Sequence, residues 1–178
     1  MKKIFVLLYL LVELSVLGSF SPGECGESQQ TACYHQPDCL VAYIKYYGPR
    51  CVVKDLAEDD ELEMFVMHKI GEGSSEWLEI ANLLRPGSDA GITRDLNLAV
   101  GEALENNPKN VFTISLKAFE IIDICRAPES SLELGTRLLE KRIKNVKSIK
   151  DKKLTKLCDE CINYLEKAKD NLKRFYEN

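Results

Sequence analysis

The first two dozen residues constrain this chain most, because they decide the chemistry open to the seven cysteines behind them. Met1-Lys2-Lys3 leads into an apolar run from Ile4 to Val12 and then small residues around Gly18, Ser19 and Ser21, the layout of a secretory leader of bacterial form. We therefore expect a signal peptide over residues 1–18, cut near Gly18 or Ser19, and a mature chain over 19–178 that is periplasmic or secreted. In that oxidising setting paired thiols become structural crosslinks. An uncleaved anchor is disfavoured, since a spanning helix needs about 20 apolar residues and Glu13 interrupts the run. Lipid attachment is also disfavoured, because Ser21-Pro22-Gly23-Glu24 puts no apolar residue where a lipobox ahead of Cys25 requires one.

A mature chain of this size is one ordinary domain. Glycine and proline divide it into segments with helical rather than alternating periodicity. The reading is all-α: a helical bundle of six or seven helices behind a disulfide-tied N-terminal region, the cysteine-rich stretch 19–51. Pro37-Asp38 opens a helix that Gly48-Pro49 stops; a second runs from about Ala57 to Ile70; Ser74 or Ser75 caps a third, with Trp77 as a core anchor. Asp89 or Thr93 caps a helix in which Gly101 permits close approach, and Asn107-Pro108 opens another. Ile121, Ile122 and Ile124 stay ambiguous between helix and extended chain. Ser130 with Glu133 reads as a capping box, and Asp151 caps the last helix, which pairs with its predecessor as an antiparallel hairpin.

Seven thiols cannot all pair within one chain. We expect two bridges among Cys25, Cys33, Cys39 and Cys51, with their connectivity open, and a third from Cys125 to Cys158 or Cys161. Cys158-Asp159-Glu160-Cys161 lies inside a helix after Leu154 and Leu157, whereas a redox-active pair wants its first thiol at a helix N-terminus. Zinc lacks a ligand set, because His35 and His68 stand alone in sequence. No cofactor is expected.

Charge is the other organised feature. Asp55, Glu58, Asp59, Asp60, Glu61 and Glu63 form an acidic run, and Arg137, Lys141, Arg142, Lys144, Lys147, Lys150, Lys152, Lys153 and Lys156 a basic one. Solvated helix faces are the simple account of both. Without the leader the net charge of −4 becomes −5, which argues against nucleic acid as a partner. The lysines leave an anionic lipid surface as an alternative partner. No nucleophile motif appears: Gly71-Glu72-Gly73-Ser74-Ser75 lacks the strand that a serine elbow needs.

The segment Arg85-Pro86-Gly87-Ser88-Asp89-Ala90-Gly91, continuing through Asp95-Leu96-Asn97-Leu98-Ala99-Val100-Gly101-Glu102-Ala103-Leu104 to Asn107-Pro108, is similar to small exported proteins of Gram-negative bacteria that have no assigned activity. Its residue types suit a tight loop and a helix cap; in a functional version Arg85, Ser88 and Asp89 line a partner-binding loop. In architecture alone the chain also resembles the immunity proteins that neutralise type VI secretion amidase effectors. The resulting expectation is a non-enzymatic protein-binding domain, with the acidic run from Asp55 to Glu63 as its contact surface. The alternatives are a hydrolase with a helical active site around Asp89, Asp95 and His68, and an envelope protein docked on lipid through the lysine-rich hairpin.

Overall fold

The computed structural model describes Cys25, residues 31–126 and residues 131–177. The expected leader and Ser130 of the expected capping box lie outside the described residues. Among the described residues there are ten α-helices and no strand, so the chain is all-α, with more helices than the six or seven read from the sequence. They are α1 (Thr31–Tyr34), α2 (Pro37–Tyr47), α3 (Pro49–Glu58), α4 (Asp60–Gly71), α5 (Ser75–Leu84), α6 (Ala90–Ala103), α7 (Pro108–Ile114), α8 (Ile121–Ile124), α9 (Leu132–Lys147) and α10 (Thr155–Glu177).

Most of the excess comes from single turns, α1 and α8, and from one full helix that periodicity passed over. Gly48-Pro49 ends α2 and starts α3 in the same step. Gly48 takes a left-handed φ of 86°, open to glycine without a steric cost, and Pro49 supplies a preset φ at the first helical position. The new helix turns Cys51, Val52, Val53 and Leu56 inward. It stops at Asp59, whose extended backbone breaks the axis and whose Oδ1 accepts the Leu62 N–H at 3.0 Å. The expected helix from Ala57 to Ile70 therefore begins at Asp60.

Helix α5 lies at the centre and packs against α2, α3, α4 and α7. Trp77, Leu78, Ile80, Ala81 and Leu84 are all buried, so a helix of ten residues presents apolar surface to several neighbours at once. Ser74 caps it by accepting the Trp77 N–H. The stretch Arg85–Gly87 then passes directly over the start of α3: a Cβ at Gly87 would sit 2.7 Å from the Arg50 nitrogen, a contact that only glycine avoids.

The three bridges join Cys25 to Cys51, Cys33 to Cys39 and Cys125 to Cys161. Both expected groups are present, and Cys161 rather than Cys158 receives Cys125. Cys158 is left as a buried free thiol, whose pKa is raised by burial and then by the charge of Asp159, which favours the thiol over the thiolate. The bridges fit an oxidising, extracytoplasmic location. Among the described residues no helix is long and apolar enough to cross a membrane.

Helices α9 and α10 form the expected hairpin. It is tied to the rest of the fold by a buried ion pair. Arg142 on α9 donates through Nε to Glu105 Oε1 at 3.0 Å and through Nη1 to the Arg126 carbonyl at 3.2 Å. Asn145 donates to the Glu105 carbonyl at 2.6 Å, and Lys141 reaches the other Glu105 oxygen at 3.4 Å. Next to this cluster α6 and α8 touch at Gly101, where a Cβ would lie 2.8 Å from the Ile124 carbonyl oxygen. The expected close approach at Gly101 is thus to the turn that carries the Cys125 bridge.

Candidate functional site

Two surface helices, α4 and α6, lie side by side and leave a groove between them. It has a volume of about 410 Å³ and is lined by Glu63, Met64, Met67 and His68 from α4 and by Asp95, Leu98, Ala99 and Glu102 from α6. Helical spacing produces this list. Positions 95, 98, 99 and 102 share one face of α6, and 63, 64, 67 and 68 occupy the facing side of α4.

Both ends of α4 are held in place. Asp59 fixes its start, while Asn106, Asn107 and Asn110 donate side-chain amides to the carbonyls of Gly71, Glu72 and Gly73 at 3.0, 3.3 and 3.1 Å. Three otherwise orphaned acceptors at a helix C-terminus are satisfied from the next helical layer. Sequence spacing placed Asn107 as a helix cap; its side chain instead serves the end of α4, and makes no capping bond to its own helix. Gly71 adds a further close fit, because the carboxylate of Glu102 occupies the space a Cβ would need, 2.9 Å from it.

Glu63 and Asp95 line the same groove, and two carboxyl groups brought together there can share a hydrogen bond only when one holds a proton. The Glu63 pKa is raised by partial burial first, then by that bond and by the negative charges of Asp95, Asp60 and Asp89. On the rim Arg94 Nε lies 3.3 Å from Asp95 Oδ1. The folded state holds the Glu63 proton more tightly than the unfolded chain does. Its stabilising effect is complete below the ordinary glutamate range and is lost as pH rises through the raised value. Glu63→Gln keeps a donor for Asp95 and cannot ionise. It is expected to stabilise the protein at neutral pH by less than about 1 kcal/mol, because the site is open to water. Thermal melts from mildly acidic to neutral pH should show a flatter slope for this variant, and an unchanged slope would count against a shared proton.

The acidic run does not form one face. Asp55 points inward on α3, accepting Tyr34 O–H at 2.6 Å and Tyr43 O–H at 3.3 Å; burial first, and then the Asp55 carboxylate, push both phenol pKa values up. Glu58 pairs with Lys54 at 3.8 Å on an exposed surface, and Asp59 is the cap. Asp60 and Glu61 are exposed in the first turn of α4, and Glu63 alone lines the groove. The chain supplies the groove's remaining acids, Asp95 and Glu102, from a segment more than thirty residues later.

Arg85, Ser88 and Asp89 are occupied internally. Arg85 Nη1 donates to Thr93 Oγ1 at 3.0 Å, with its guanidinium 5.6 Å over the Phe119 ring. Ser88 Oγ lies 2.6 Å from Thr93 Oγ1, and Asp89 Oδ1 accepts the Ile92 N–H at 2.9 Å. Of the trio considered for hydrolysis, Asp95 and His68 meet in the groove, and Asp89 is near enough for its charge to act on Glu63. The basic run is divided as well: Arg142 is buried, and Lys141 and Lys147 pair with Glu105 and Glu166. Lys144, Lys150, Lys152, Lys153 and Lys156 remain exposed.

The sequence reading missed Glu102, Met64 and Met67 as groove residues. Only the pairing of α4 with α6 makes them neighbours of Glu63 and Asp95. No protein-family model, curated protein or solved structure matches this chain.

Proposed function

We propose that this chain is an exported, non-enzymatic protein-binding domain, acting in the periplasm or outside the cell, that receives a basic segment of its partner in the α4–α6 groove. The observation that carries this reading is the convergence of Glu63, Asp95 and Glu102 on a floor of Met67, Leu98 and Ala99. Lysine and arginine have the complementary form, an apolar stem and a charged head. Opposed charge also speeds and orients association. An immunity role, in which the partner is an exported enzyme, is the narrower form of this proposal and draws on the helical, disulfide-tied architecture.

The test is capture of the partner from periplasmic extract by the oxidised protein and by two charge-reversal variants. Asp95→Lys/Glu102→Lys is expected to abolish capture, while Glu58→Lys/Glu61→Lys, which reverses charge on the acidic run outside the groove, retains it. Equal capture by both variants, with native circular dichroism spectra, would reject the groove as the binding face.

A second reading has one observation in its favour: a raised carboxyl pKa beside another acid is a common arrangement for acid–base catalysis. On this reading the protein is a hydrolase in which Glu63 donates a proton and Asp95 accepts one, with His68 alongside. Peptide or glycoside turnover that Glu63→Gln removes, with its fold intact, would support it; turnover equal in the two proteins would dismiss it.

A further inference from the structure

The groove also concentrates the chain's soft ligands. Beyond Met1 the sequence holds two methionines, Met64 and Met67, and both line it, as does His68, one of two histidines. Met64 is 65% exposed, an unusual position for a thioether that packs well in cores. Residues at i, i+3 and i+4 of a helix are neighbours, with Cβ atoms about 5–6 Å apart. Unbranched methionine side chains have the reach to bring two sulfurs and an imidazole nitrogen together over that span.

The remaining sulfur is committed elsewhere. Six cysteines are in bridges, and the seventh, Cys158, is a buried thiol outside the groove. Among the described residues no group of three His, Cys, Asp or Glu side chains is arranged to hold a metal, so an ion in this groove needs the thioethers as ligands. Thioether and imidazole donors favour a soft monovalent ion over calcium, magnesium or manganese. The surrounding carboxylates attract any cation, and Glu102 is held over the bare backbone of Gly71, one turn beyond Met67 and His68. His68 makes one long contact to Glu72, 3.6 Å, while Lys69 holds the same oxygen at 2.8 Å, so the ring is available to turn.

We propose that Met64, Met67 and His68 form a two-sulfur, one-nitrogen binding site for Cu(I). This inference is independent of the docking reading and stands if that reading fails.

Silver(I) serves as the probe, being a soft monovalent ion that needs no reductant and therefore leaves the disulfides intact. Titration of the oxidised protein in chloride-free buffer should show one tight equivalent, with shifts of both methionine ε-methyl resonances and of the His68 ring. Met64→Leu/Met67→Leu preserves side-chain volume and is expected to weaken binding at least 100-fold with an unchanged circular dichroism spectrum. His68→Gln should weaken it about tenfold, and Cys158→Ala should leave it unaltered. Wild-type affinity in the double leucine variant, or loss of binding in Cys158→Ala, would overturn the assignment. Glu102→Lys separates the two proposals: it should weaken silver binding several-fold yet leave the methionine shifts in place, whereas a charge-dependent protein contact there would be lost.

Discussion

Replacing Arg142 with methionine is expected to destabilise the protein by about 3–5 kcal/mol, the range found when one member of a buried ion pair is removed. Arg142 is 3% exposed, and burial lowers its pKa while Glu105 opposes the shift. Without it, the Glu105 carboxylate, itself 8% exposed, keeps only the longer contact to Lys141. The Arg126 carbonyl also loses a donor. Both losses fall where α9 meets the turn after α6 and the chain leading from Cys125, so the hairpin loses its polar anchor. The double variant Glu105→Leu/Arg142→Met should recover most of the stability, because the cost lies in the orphaned charge and the pair itself contributes little net free energy. Urea unfolding followed by Trp77 fluorescence measures both, and a loss below about 1 kcal/mol in the single variant would show that water reaches Glu105.

Removal of the Cys125–Cys161 bridge is the second large effect. Its cysteines are 36 residues apart, and a closed loop of that length accounts for about 3–4 kcal/mol on the chain-entropy model. In a chain of this size that corresponds to a fall in Tm of roughly 10 °C. The variant should be Cys125→Ala/Cys161→Ala. Cys161→Ala alone leaves Cys125 free against the helix that carries Cys158 one turn from position 161, and a substitute bridge is expected to form there. Mass spectrometry of the single variant under non-reducing conditions should find Cys125 joined to Cys158. Two free thiols there would mean that α10 holds Cys158 turned away from Cys125.

The parts of the fold legible in the sequence are those specified by neighbours in the chain. Ser74 and Asp89, each one of two expected candidates, cap their helices, since an N-cap needs only a backbone N–H two or three residues ahead, whereas Asp151 caps the 3-10 turn Lys152–Leu154 that leads into α10 and not α10 itself. The grouping of cysteines was legible for the same reason, as four are clustered near one end. Helix α3 was not, because Gly48-Pro49 is a stop signal and a start signal in identical residues, and only packing of Val52, Val53 and Leu56 under the core decides for the second.

Charge was the least legible property. Arg142 reads as one more member of a basic run, yet its partner Glu105 is 37 positions away, beyond any local rule. Asp55 likewise belongs to the acidic run by composition and to a tyrosine pair by structure. The groove combines both problems, since its acids come from two separate segments and the packing of α4 alone decides that Met64 is exposed while Met67 leans on the core.

The sequence by itself determined the all-α class, most helix limits and the grouping of four cysteines into an N-terminal set, because periodicity and capping act over a few residues or a turn and those four lie in one stretch of the chain. The tertiary structure decided that Cys161 and not Cys158 is bridged, that Arg142 points inward, and that Glu63 meets Asp95. Each of these depends on the rotation of one helix against another, set by how all the apolar faces fill a common core at once.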